Sequence, residues 1–185
     1  LVVARDAATG ALLAENHNRE FAGRVAFATV AALDRVSVHV SGDRASFIGR
    51  HGSPARPAAL GCGQPLDGRL GANLDPCFAL QITLRLEPGA TVEYAFLLGE
   101  AENRSEVRRL IGRYRQEGAI AAALAEVRES WRDRLAAVRI RTPSPALDLM
   151  VNGWLAYQTL SCRLWGRSAF YQSGGAFGFR DQLQD

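Results

Sequence analysis

Along the first hundred residues, apolar side chains recur at every second position. "VSVHV" sets Val36, Val38 and Val40 on one face, "FALQITLRL" does the same with Phe78, Leu80, Ile82, Leu84 and Leu86, and "TVEYAFLLG" with Val92, Tyr94, Phe96 and Leu98. A period of two turns one face of a strand into a core. "EPGA" at 87–90 supplies Pro-Gly turn chemistry between the last two runs, which predicts a hairpin. The Gly- and Pro-rich stretch 41–76 reads as loop with one short strand around Phe47 and Ile48. The region as a whole predicts a piece of an antiparallel sandwich.

After Gly99 the period changes. Val107, Leu110, Ile111 and Tyr114, then Ile120, Leu124, Val127, Trp131, Leu135 and Val138, are spaced by threes and fours. That spacing predicts two amphipathic helices broken at Gly118, with the arginines on a solvated face. "RTPSPALD" opens a third helix, with the Ser144 side chain as its cap and Pro145 in its first turn. Leu147, Met150, Val151, Trp154, Leu155, Leu160 and Leu164 make it apolar around most of its circumference. Such a helix is buried among other helices, so its partners are expected beyond Asp185 and both chain ends are expected to be cuts in a longer protein.

Composition narrows the function classes. The net charge of +3 comes from 22 arginines with no lysine, scattered among acids rather than gathered on one stripe, which argues against a nucleic-acid partner. Cys62, Cys77 and Cys162 lack CxxC spacing and read as reduced thiols of an intracellular protein, neither a disulfide frame nor a zinc site. His17, His39 and His51 show no ligand spacing. No apolar run reaches the roughly 18 residues of a spanning helix, and no signal peptide is present, so the chain is expected to be soluble.

The chemistry-bearing residues gather at the end of the chain. Arg163, Arg167, Gln172, Ser173, Arg180, Asp181, Gln184 and Asp185 interleave with Trp154, Tyr157, Trp165, Phe170, Tyr171, Phe177 and Phe179. Aromatic platforms beside amides and carboxylates suit a sugar, and arginine adds a fork for an oxyanion such as phosphate. The residues alone leave other readings open: core packing for Trp154 and Tyr157, a structural ion pair for Arg180 and Asp181, and plain turns for "SGGAFG", which matches neither a P-loop nor a dinucleotide fingerprint.

Read as a string, "NGWLAYQTLSCRLWGRSAFYQSGGAFGFRDQLQD" resembles the start of the catalytic barrel of glycoside hydrolase family 94, the inverting phosphorylases, and within it the carboxy-terminal phosphorylase domain of the cyclic β-1,2-glucan synthases. "REFAGRVAF", "GDRASFIGRHGSPARPAAL" and "LDPCFALQITLRLEPGATVEYAFLLG" resemble the end of that family's sandwich, so the likeness spans nearly the whole chain. The resemblance implies an α+β multidomain fragment: part of a β-sandwich over 1–100, a helical linker over 101–142, and the start of an (α/α)6 barrel over 143–185, its first helix with the loop after it. It implies phosphorolysis of a β-glucosidic bond, giving α-glucose 1-phosphate with inversion, with phosphate as co-substrate and no metal or organic cofactor.

By position in the motif, Arg167 resembles the phosphate-contacting arginine, and Arg180 and Asp181 the pair that holds sugar hydroxyls. Gln172 and Asp185 are weaker candidates for sugar contact. The family's general acid lies downstream, so no proton donor is assigned here and the fragment alone is expected to be inactive. The loop lacks an extra arginine associated with disaccharide-specific members, which favours an oligosaccharide or cyclic-glucan substrate. The implied partners are a β-glucan oligosaccharide, phosphate and the rest of the barrel. The likeness allows a homodimer, and it implies a cytoplasmic location, on the inner face of a membrane if the parent is a synthase. A glycan-binding module without activity and an inverting hydrolase remain open beside this reading.

Overall fold

The computed structural model describes residues 1–18, 23–31, 36–61 and 63–165, and the chain divides into two compact units, Leu1–Ile120 and Ala121–Asp185. The first holds six strands: β1 (Val2–Arg5), β2 (Leu12–Glu15), β3 (Val25–Ala31), β4 (Val38–Asp43), β5 (Pro76–Ile82) and β6 (Ala95–Ala101). They form an antiparallel four-stranded sheet in the order β1-β2-β3-β6 and a two-stranded antiparallel sheet of β4 and β5. Helix α1 (Arg44–Ile48) follows β4, and α2 (Arg104–Tyr114) follows β6.

Strands β2 and β3 of the larger sheet are covered on both faces, which explains why β2 is apolar without alternation. Leu13 joins Ala11, Val25, Phe27, Ala101, Val107 and Ile111 in a core closed by α2. Its neighbour Leu12 points the other way, into a cluster with Val3, Ala14 and Val40 against which Phe78 and Leu80 pack. A strand buried on both sides loses the polar half of the pattern. Close packing also fixes Gly99 opposite Phe27, where a β-carbon would meet the ring at 2.7 Å.

The structure overturns two local expectations. The alternating runs at 78–86 and 92–98 do not pair with each other: β5 pairs with β4, Leu80 opposite Val40, and β6 pairs with β3, Leu98 opposite Ala28. The turn at "EPGA" does form, with the Ala90 N–H donating to the Glu87 carbonyl at 3.0 Å, but it bends a connection between the two sheets. Nor does the face expected for β6 reach a core: Phe96 and Leu98 are exposed, Leu98 at 80 %, and Leu97 on the other face packs against the core instead. Alternation marks a strand but settles neither which neighbour it takes nor, here, which face is buried. The strand expected around Phe47 and Ile48 is instead α1, because the Asp43 side chain accepts from the Ala45 N–H at 3.2 Å and starts a helix that Gly49, at φ 76°, ends.

A third correction concerns the arginines. Asn103 caps α2 by accepting from the Glu106 N–H at 2.9 Å, and Val107 and Ile111 are its buried stripe. Its flanks are not simply solvated. Arg108 donates from Nη2 to Asp6 Oδ1 at 2.7 Å, and Arg115, just past the helix, donates to the Thr9 carbonyl at 2.9 Å, Thr29 Oγ1 at 3.1 Å and the Val30 carbonyl at 3.3 Å. These cations clamp the helix to the sheet beneath it.

Asp6 is only 4 % exposed, and the Arg108 guanidinium, helped by the Thr9 hydroxyl and N–H, outweighs its burial and holds its pKa at about 2, down from 3.8. A carboxylate with a depressed folded-state pKa stabilises the fold above its unfolded pKa, and that stability is lost as pH falls through 3.8 towards 2. Because Arg108 remains half exposed, screening reduces the contribution to about 1–2 kcal/mol. Asp6→Asn is therefore expected to lower the urea midpoint at pH 7 and to flatten its fall below pH 5. An unchanged acid limb would remove Asp6 as its source.

The second unit is helical. Gly118, at φ 73°, separates α2 from α3 (Ala119–Leu135), as the sequence predicts. A continuous helical run then comprises α4 (Pro145–Leu149), a π turn (Met150–Trp154), α5 (Leu155–Gln158) and a second π turn (Thr159–Trp165). Pro145 sits in the first turn, but the Ser144 hydroxyl makes no capping bond, contrary to expectation. The entry is held instead by Asp148, whose Oδ1 accepts from the Thr142 N–H and hydroxyl, both at 2.8 Å. One turn on, the Asn152 amide grips both backbone groups of Ile140, accepting from its N–H at 2.7 Å and donating to its carbonyl at 2.9 Å.

Candidate functional site

Arg167, Gln172, Arg180, Asp181 and Asp185 lie outside the described residues. What the structure brings together is a cluster of aromatic side chains on the helices that precede them in sequence. On α3, Trp131 receives the Tyr157 ring at 5.1 Å between centroids and the Trp165 ring at 5.2 Å, edge to face. Trp154 lies 6.1 Å from Tyr157 on the same run. The Arg134 guanidinium stands 5.4 Å from the centroid of Trp165. Pairs at these spacings attract beyond the area they bury, and a cation over an indole face adds to that.

Trp154 and Tyr157, which the residues alone allow as core packing, therefore do pack, but each keeps an open face: Trp154 is 52 % exposed and Tyr157 40 %. Leu147, Leu149, Met150 and Leu155 are exposed beside them. Apolar surface of this kind is sticky in water. Expressed alone, the 185-residue chain is expected to bind a hydrophobic dye and to self-associate. A monomer in light scattering that leaves the dye dark would contradict that exposure.

Cavities open among the described residues of the first unit. One, about 620 Å³, lies among Arg50, His51, Arg56, Pro57 and Leu60, and its described lining is basic and apolar. A second, about 600 Å³, sits at the start of α2, where Arg24 pairs with Glu100 and Arg109 with Glu106. A third, about 170 Å³, is lined by Ser41, Ser46, Gln64 and Asp67. Burial pushes the Asp67 carboxyl up, but hydrogen bonds from Ser46, Ser41 and the Arg69 N–H outweigh it and hold the pKa below the usual value. A carboxylate held ionised in this way is poorly placed to donate a proton. Burial raises the Cys77 thiol, helped by the carboxylates of Asp43 and Asp75, so it stays protonated and inert.

Among the described residues no group of three or more His, Cys, Asp or Glu side chains could hold a metal ion. Nor is any helix among them long and apolar enough to cross a membrane. Sequence patterning finds Trp131 as an apolar position of α3 without indicating that it meets Trp165, because the partner is set by where two helices cross.

Comparison with known proteins supplies what that cluster alone leaves open. The family description "Glycosyl hydrolase 94, supersandwich domain" matches residues 1–117, and "Glycosyl hydrolase 94 superfamily, catalytic domain" matches residues 130–185. The chain is 38 % identical over 181 residues to the cyclic beta-(1,2)-glucan synthase NdvB of Rhizobium meliloti (strain 1021), which covers 97 % of this chain and 6 % of that protein. It is 32 % identical over 151 residues to the N,N'-diacetylchitobiose phosphorylase of Vibrio furnissii, covering 78 % of this chain and 18 % of the relative. To the solabiose phosphorylase of Paenibacillus borealis it is 30 % identical over 178 residues, covering 94 % and 22 %. The chain thus spans a small part of each relative's length. With one family model across the sandwich and a second across the helical end, the chain belongs to the glycosyl hydrolase 94 family, whose relatives include glycoside phosphorylases.

Proposed function

We propose that this chain is the junction between the supersandwich and the catalytic barrel of a glycoside phosphorylase, and that the run Pro145–Trp165 is the barrel's first helix. The observation that carries this reading is the catalytic-domain match over 130–185, which includes every candidate site residue. Inorganic phosphate attacks the anomeric carbon of a β-glucosyl unit while a carboxylic acid outside this chain protonates the departing oxygen. The C–O bond to the leaving sugar breaks as the bond to phosphate forms on the opposite face, so the product is α-glucose 1-phosphate. Arg167 holds the phosphate dianion in line, Arg180 and Asp181 fix hydroxyls of the reacting sugar, and Gln172 and Asp185 contribute weaker contacts.

The reaction so written needs no metal or organic cofactor. The likeness to NdvB favours β-1,2-linked glucan over a disaccharide, and with it a cytoplasmic site. The test uses the full-length protein with phosphate and either β-1,2-gluco-oligosaccharide or N,N'-diacetylchitobiose, reading the sugar phosphate and its anomer by phosphorus NMR. The α-glucosyl phosphate from the glucan alone supports the reading. A β anomer would refute inversion, and a product from diacetylchitobiose alone would move the substrate.

A further inference from the structure

We propose that the loop running from the end of α1 to Gly61 is a binding site for a sugar phosphate, held through the guanidinium groups of Arg50 and Arg56. These two arginines and His51 line the cavity of about 620 Å³, whose described lining holds no acid. The stretch from Asp43 to Asp75 contains three acids, and each is engaged elsewhere. Asp43 pairs with Arg69 at 3.1 Å, Asp75 pairs with Arg44 at 2.9 Å, and Asp67 accepts from the Ser46 hydroxyl and the Arg69 N–H. Among the described residues no acid pairs with Arg50 or Arg56. Two like charges beside one cavity repel each other. An oxyanion removes that repulsion and takes hydrogen bonds from both forks.

The backbone under both cations is set before any ligand arrives. Gly49 and Gly52 let the loop close tightly: a β-carbon on Gly49 would stand 2.6 Å from that of Ala58, and one on Gly52 would run into the Ile48 carbonyl oxygen. Ser53 and Arg56 exchange backbone hydrogen bonds at 3.2 and 2.9 Å, and Pro57 after them is buried. A loop closed in this way has less freedom to lose on binding. Volume and lining then set the ligand class. A cavity of this size lies in the range that encloses a small organic molecule, which is more than a bare oxyanion fills. Ala55, Pro57 and Leu60 give it an apolar wall, against which the C–H face of a pyranose lies while its phosphate meets the arginines.

Carbethoxylation of His51 by diethyl pyrocarbonate in the full-length protein, read by peptide mass spectrometry, tests this at the loop itself. The probe is glucose 6-phosphate, which the reaction proposed above neither consumes nor releases, compared with inorganic phosphate and with glucose. Saturating glucose 6-phosphate is expected to slow modification of His51 about fivefold or more, inorganic phosphate to need about tenfold higher concentration, and glucose to have no effect. Arg50→Gln and Arg56→Gln, both on exposed positions, should each raise the glucose 6-phosphate concentration for half protection about tenfold. No protection by glucose 6-phosphate, equal protection by glucose, or protection unchanged in both variants would overturn the proposal. Inorganic phosphate acting at the same concentration as glucose 6-phosphate would overturn the sugar phosphate as ligand and leave a bare oxyanion site. A His51 that resists the reagent before any ligand is added would mean that the loop is covered in the full-length protein, which overturns the proposal as well.

Discussion

Arg167→Ala in the full-length protein is expected to lower kcat/KM for phosphate by about a hundredfold or more. On the proposed reading the nucleophile is a dianion to be held in line with a bond it does not yet touch, and a planar guanidinium at Arg167 would grip two of its oxygens at once. Removing the fork takes away both the charge and the orientation, and orientation alone carries a large share of such a barrier. Arg167→Lys should recover part of the loss, because an ammonium restores the charge without the bidentate geometry. A fall of less than about threefold in Arg167→Ala would show that phosphate is held elsewhere.

The largest stability effect is expected at the contact between α2 and the sheet. Ile111 is 0 % exposed and sits with Val107, Leu13, Phe27 and Val25 in the core beneath the helix. Ile111→Ala removes three methylene-sized groups where the strand backbone cannot close the gap, so a loss of about 3 kcal/mol is expected. Leu124→Ala makes a chemically similar deletion on α3, where the side chain is half exposed, and should cost about 0.5 kcal/mol or less in the isolated chain. Urea unfolding of both variants measures the difference. Equal losses would mean that α2 does not close the core of the first unit.

The sequence revealed elements better than partners. Period-two alternation located β4, β5 and β6, and the break at Gly118 separated the two long helices, because both signals are local. What it missed was settled by groups distant along the chain. Leu80 found Val40 and Leu98 found Ala28 across a turn that looked like a hairpin, and Arg108 found Asp6 from almost the far end of the first unit. Arg115 reads in sequence like any solvated cation, yet its donors end on two strand-side carbonyls and a hydroxyl. The Ser144 cap failed for a related reason: Asp148 offers Thr142 a charged acceptor, and the helix start is tied through that residue instead.

The candidate site residues lie outside the described residues, and their assignment rests on a different kind of signal. Composition placed aromatic, amide, carboxylate and guanidinium groups together after Asn152, which is enough for a sugar or phosphate site but does not distinguish a catalyst from a binding surface. The string from Asn152 to Asp185 carried the family likeness, and the catalytic-domain match covers it. The Trp131–Trp165 contact had no sequence signal, since it depends on a π turn that the hydrophobic pattern does not encode.

The account's central claim is that phosphate, not water, is the nucleophile. The direct measurement is bond cleavage by the full-length protein on β-1,2-gluco-oligosaccharide with and without inorganic phosphate, following glucose 1-phosphate and newly formed reducing ends separately. The account predicts that cleavage depends on phosphate and that each bond broken yields one glucose 1-phosphate. Cleavage at the same rate without phosphate, yielding free glucose, would make the enzyme a hydrolase and contradict the claim.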